Sequence, residues 1–94
     1  MKIVINRCYG GFSLSELACE KLSALVGRRV ESYDYHDASD RANPNLIKVV
    51  EELGDRANTS CSKLKIIEIP DDVDYTISEY DGMETVEEVH RTWS

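Results

Sequence analysis

Basic residues are scarce in this chain: 11 Lys and Arg stand against 18 Asp and Glu, for a net charge of −7. A general grip on DNA or RNA needs many cations to neutralise phosphates, so a polymeric nucleic-acid partner is not expected. A small phosphorylated ligand is still open, because two or three focused arginines can hold one. Cysteine is also sparse. Cys8, Cys19 and Cys61 form an odd set with no CxxC pair, which excludes a disulfide framework and fits reduced intracellular thiols. Pairing Cys8 with His36 or His90 gives neither the spacing nor the ligand count of a closed zinc site, so no metal is expected. Long apolar runs are lacking too: Ile3-Val4-Ile5 breaks at Asn6-Arg7, leaving no secretory or membrane-spanning stretch. A cytoplasmic protein without a membrane partner is the expectation. No nucleophile or carboxylate stands at a recognisable catalytic spacing from His90, and Asp71, Asp72 and Asp74 lack the glycine of a calcium loop. The chain is therefore read as non-enzymatic and free of cofactors.

What is present suits one small soluble domain spanning residues 1–94, with 41% hydrophobic and 31% charged residues. Ile3-Val4-Ile5 reads as a short strand covered on both faces, since it shows no polar alternation. Leu14, Leu17, Ala18, Leu22, Leu25 and Val26 recur on one helical face, with Gly27 as the stop. Ser13 with Glu16 three residues on forms a capping-box pattern at the start of that helix, and Phe12 with Leu17 a hydrophobic staple. Residues 28–35 carry β-prone types and are read as a short strand. Asn43-Pro44 opens a second helix over Pro44–Leu53, with Gly54 just beyond. Residues 64–69 and 75–80 read as strands, and Asp81-Gly82 as a tight turn. Met83, Val86, Val89 and Trp93 fit either a helical stripe or a strand. The expected fold is α+β, a small mixed or antiparallel sheet packed against two amphipathic helices.

The candidate chemistry starts at Tyr9-Gly10-Gly11-Phe12-Ser13, where a strand enters a helix through a glycine pair. Such a turn lets backbone N–H groups approach a phosphate at the positive end of the helix dipole. Arg7, Arg41, Arg56 and Arg91 lie near turns or segment ends and are the candidate phosphate partners. Arg41 stands two residues before the Asn43 cap, where its guanidinium and the second helix N-terminus would face one anion. A surface pairing of Arg41 with Asp37 or Asp40 is equally open at this point. Tyr80-Asp81-Gly82 would set an aromatic ring and a ribose-accepting carboxylate at a pocket rim, or serve as an ordinary hairpin. His90-Arg91-Thr92-Trp93 adds a cation and an indole near the other end.

Two stretches, residues 6–15 and residues 79–82 with 90–93, resemble the phage Thoeris anti-defence sponge family, and the resemblance runs over nearly the whole chain. It implies a protein that binds and sequesters a cyclic ADP-ribose isomer made by a bacterial immune system, without cleaving it. Some members also hold cyclic oligonucleotides, the signals of CBASS defence, between subunits. The resemblance implies a ligand site of Gly10, Gly11, Phe12 and Ser13 with Arg41, Asp74 and Arg91, in a homo-oligomer of two or more chains in the host cytoplasm. Leu64 falls where an aromatic stacking residue would be more natural, with Tyr9 or Phe12 as substitutes. Two other readings stand beside it: a small nucleotide-processing enzyme using His90 or Cys8, and an acidic module that inhibits a host protein.

Overall fold

The computed structural model describes residues 1–71 and 73–88. Strand β1 (Lys2–Asn6) leads to helix α1 (Glu16–Val26), and a loop with one 3₁₀ turn leads to helix α2 (Pro44–Leu53). Strands β2 (Leu64–Glu68), β3 (Tyr75–Tyr80) and β4 (Met83–Glu88) follow. The fold is α+β, and its strands form two separate antiparallel pairs, β1 with β2 and β3 with β4. None of the described helices is long and apolar enough to cross a membrane.

Register explains the core. Val4 stands opposite Ile66, and Asn6 opposite Leu64, so even-numbered positions share one face of the β1–β2 pair. Val4, Leu64 and Ile66 pack there against Ala18 and Leu22 of α1 and Leu46, Val49, Val50 and Leu53 of α2. Ile3 and Ile5 on the other face are also fully buried, as the unalternating sequence of β1 requires.

Helix α2 matches its sequence pattern closely. Asn43 Oδ1 accepts from the N–H groups of Asn45 and Leu46 at 2.9 and 3.4 Å, Pro44 occupies the first turn, and Leu53 closes the apolar stripe. Helix α1 starts two residues later than its capping-box pattern indicates. Its cap is Ser15, whose Oγ accepts from Ala18 N–H at 3.2 Å and donates to Arg56 O at 2.7 Å. Phe12 and Leu14 are both buried, and burying residues two apart on one side demands extended backbone. The staple is absent for the same reason: Phe12 lies in the core while Leu17 is 37% exposed.

Residues 28–35 form turns and bends instead of the expected strand. Only Val30 and Tyr35 are buried there, and Arg28–Asp34 and Arg29–Glu31 ion pairs hold the rest at the surface. At the other end of the chain, residues 83–88 settle the open alternative in favour of a strand. Asp81 (φ 50°) and Gly82 (φ 91°) make a two-residue turn between β3 and β4, with Tyr80 opposite Met83 and Ile77 opposite Val86. Positive φ at both positions is the hairpin-matched turn for an Asp-Gly pair. Val89, His90, Arg91 and Trp93 lie outside the described residues.

Gly82 also presses against the glycine turn. A Cβ on Gly82 would stand 2.2 Å from Gly11 N and 2.6 Å from Gly10 N, whereas one on Gly27 would meet nothing within 4 Å. Gly82→Ala is therefore expected to lower unfolding stability by more than about 2 kcal/mol, and Gly27→Ala by about 1 kcal/mol from left-handed strain alone. Urea titration of both variants checks the order; equal losses would contradict the packing of the hairpin on the glycine turn.

Candidate functional site

The last residue of β1 gathers two distant parts of the chain. Asn6 is fully buried, and its side-chain amide donates to Cys8 O at 2.8 Å and to Gly82 O at 2.7 Å. Its Oδ1 accepts from Lys63 N–H at 2.8 Å. Its own backbone N–H donates to Glu84 Oε1 at 2.7 Å. Beside it, Gly10 N–H donates to Asp81 O at 3.1 Å. The segment carrying the glycine pair and the segment carrying Tyr80-Asp81-Gly82 thus meet at one corner.

Arg41 is the strut of that corner, buried to 1% exposure. Its Nη1 and Nη2 hold the two oxygens of Glu84 at 2.6 and 2.7 Å in a bidentate pair. Nη1 also donates to Val4 O at 3.3 Å, Nη2 to His36 O at 2.8 Å, and Nε to Tyr35 O at 3.0 Å. All five guanidinium donors have partners, and the cation lies 3.7 Å from the centre of the Phe12 ring. The expectation that Arg41 faces an anion with the α2 N-terminus is corrected here. The neighbouring acids Asp37 and Asp40 do not take it either; a carboxylate 43 residues along the chain does.

The other candidate positions divide between interior and surface. Phe12 is a core residue and the platform of Arg41. Ser13 is buried, with its Oγ 2.7 Å from Thr59 Oγ1 and its carbonyl accepting from Ser62 Oγ at 2.9 Å. Leu64 packs against the core and its N–H donates to Asn58 Oδ1 at 2.7 Å, so it is not a stacking platform. Gly10 is exposed and Gly11 half-buried, and Asp74 is exposed in the segment before β3. Arg91 lies outside the described residues.

At the surface of the corner stand Tyr9, 62% exposed, and Tyr80, 74% exposed, each one residue from the Gly10–Asp81 hydrogen bond. Arg7 completes the group. It is exposed, and its Nη1 donates to Glu84 O at 2.8 Å. Among the described residues its other guanidinium nitrogens have no protein partner. Arg7 and Tyr9 were legible as candidate cation and ring; that their segment meets the one carrying Tyr80 required the fold. Asn6 gave no local signal beyond its place at a strand end. A groove of 690 Å³, edged by Met1, Ala42, Pro44 and Ile47 with the charged Lys2, Lys48, Glu51 and Glu52, contains none of these residues. No three His, Cys, Asp or Glu side chains converge as a metal site among the described residues.

Cys61 is exposed, and its backbone O would lie 2.4 Å from a Cβ on Gly10, so it borders the corner. Burial pushes the Cys19 thiol up, with the negative charges of Glu31, Asp34 and Glu16 adding to the effect. Less thiolate means slower attack.

Two outcomes are expected. Arg41→Met and Glu84→Gln each lose about 3–5 kcal/mol of stability, because each leaves a buried charge unpaired. The double variant loses less than the sum but stays destabilised, since removing the guanidinium strands the carbonyls of Val4, Tyr35 and His36; a denaturation double-mutant cycle measures this. In timed alkylation at pH 8 read by peptide mass spectrometry, Cys61 is modified well before Cys19. Equal rates would contradict the burial of the α1 thiol.

No family model, curated protein or solved structure matches the chain.

Proposed function

We propose that the chain is a non-catalytic binding protein that sequesters a cyclic nucleotide signal, a cyclic ADP-ribose isomer or a cyclic oligonucleotide, at the corner between the glycine turn and the β3–β4 hairpin. The observation that carries this reading is the meeting of the two sequence stretches that resemble the sponge family, through Gly10 N–H to Asp81 O and Asn6 Nδ2 to Gly82 O. Their meeting leaves two tyrosine rings, a carboxylate and a part-engaged guanidinium at the surface.

The chemistry of a nucleotide suits that set. Tyr9 and Tyr80 stack on bases, the Arg7 guanidinium forks onto a phosphate, and Asp81 accepts from ribose hydroxyls. Arg41 supports the site from beneath, and Arg91 adds a second phosphate contact in the proposal. Sequestration needs affinity and copy number with no lowering of a reaction barrier, and a homo-oligomer in the host cytoplasm supplies both. The acidic-module reading has one observation in its favour: residues 71–88 carry eight carboxylates and no basic residue.

The test is calorimetric titration of the protein with cyclic ADP-ribose isomers and cyclic di- and trinucleotides, followed by heating and mass spectrometry of the released ligand. One panel member binds and returns intact. Tyr80→Ala and Arg7→Ala each weaken it by about five- to a hundred-fold, while Tyr33→Ala, an exposed tyrosine outside the corner, leaves it unchanged. A chemically altered ligand would establish an enzyme instead. Absence of binding across the panel, with salt-sensitive capture of a host protein, would establish the acidic module.

A further inference from the structure

We propose that two copies of the chain join edge to edge through β3, forming a continuous four-stranded antiparallel sheet in the order β4, β3, β3, β4. This names the surface for the self-assembly proposed above and is tested without nucleotide, so its failure leaves the ligand reading untouched.

The two-residue turn sets which backbone groups are open. Tyr80 and Met83 close the hairpin as a hydrogen-bonded pair, so Ser78 and Thr76 also bond inward to β4. The N–H and C=O groups of Tyr75, Ile77 and Glu79 then point away from β4. The same alternation turns Glu84 outward on β4, which agrees with its carbonyl accepting from Arg7. The other edges are engaged over part of their length or carry charge: β2 holds Lys65 and Glu68, and β4 holds Glu84, Glu87 and Glu88. Along β1, Arg41 O accepts from Val4 N–H, Arg41 Nη1 donates to Val4 O, and Glu84 accepts from Asn6 N–H. On β2, Asn58 caps Leu64 N–H. Among the described residues β3 has no strand on its second edge. Tyr75–Tyr80 holds no lysine, proline or bulge, the usual guards of an open edge, and Glu79 is its single charge.

The sequence of β3 is self-complementary in one register. An antiparallel pair about a two-fold axis normal to the sheet sets same-face residues opposite each other, so odd positions meet odd positions. Centring the axis on Ile77 uses all three outward residues of both strands: Ile77 faces Ile77 of the second copy, and Tyr75 faces Glu79. Moving the axis to Glu79 would oppose like charges. In the Ile77 register the two Glu79 carboxylates sit about 13 Å apart along the strands, beyond a Debye length at physiological salt. Apolar burial favours the same register. Ile77 and Val86 are directly paired and only half-buried in one chain. Across the axis they become one stripe of Val86, Ile77, Ile77 and Val86, and the hairpin changes from an isolated two-stranded ribbon to part of a four-stranded sheet.

Sedimentation velocity over a micromolar to millimolar range tests this, with far-UV circular dichroism as a check on folding. The wild type shows a concentration-dependent species of two 10.7 kDa chains. Ile77→Lys opposes two ammonium groups at the axis and abolishes that species. Tyr75→Lys sets an ammonium opposite Glu79 twice per dimer and lowers Kd by about two- to thirty-fold, a gain that stays informative even where Ile77→Lys fails to fold. A wild type that is monomeric throughout, a dimer indifferent to both substitutions, or weakening by Tyr75→Lys would overturn the proposal.

Discussion

The buried pair of Arg41 and Glu84 takes the place of a missing backbone ladder between the two halves of the molecule. No hydrogen-bonded strand pairing links β1–β2 to β3–β4, yet the outer edge of β1 is buried and its polar groups need partners. One guanidinium and one carboxylate answer Val4 O and Asn6 N–H, and the same guanidinium takes the carbonyls of Tyr35 and His36. Buried ion pairs are often no better than apolar residues of equal volume. Here an apolar replacement would leave several backbone groups unpaired. The charge pair is therefore best understood as an edge cap that also docks the hairpin.

Docking the hairpin is what assembles the corner. Once Glu84 is fixed beside β1, Gly82 falls against Gly10 and Gly11, and Asp81 O receives Gly10 N–H. The contact needs a glycine at position 82 because any Cβ there would overlap backbone nitrogen. Tyr9 and Tyr80 stay at the surface because the turns that carry them are engaged through their main chains. The exposed tyrosine rings thereby stand on turns fixed by main-chain hydrogen bonds.

Much of this architecture was legible in the residues. Asn43-Pro44 and the apolar spacing that follows defined α2, the unbroken Ile3-Val4-Ile5 run marked a doubly covered strand, and Asp81-Gly82 marked the turn. The start of α1 was less legible because the Ser13–Glu16 pattern is purely local, and the burial of Phe12 and Leu14 moves the cap to Ser15. Arg28 to Tyr35 misled through β-prone residue types whose charges face both sides of any strand. Arg41 misled most: local reading offered Asp37, Asp40 or a ligand, while its partner was far along the chain. The signal lay at Glu84, a charge at the same hairpin-face parity as Val86, which calls for a buried counter-ion.

Amide-resolved nuclear magnetic resonance of labelled protein during titration with the cyclic nucleotide panel tests the central claim most directly. Binding at the corner predicts that the backbone signals of Tyr9, Gly10, Gly11, Tyr80, Asp81 and Gly82 shift together and saturate together. Shifts centred on Ala42, Asn45 and Ile47 beside the groove of 690 Å³, with the two turns unmoved, would contradict it.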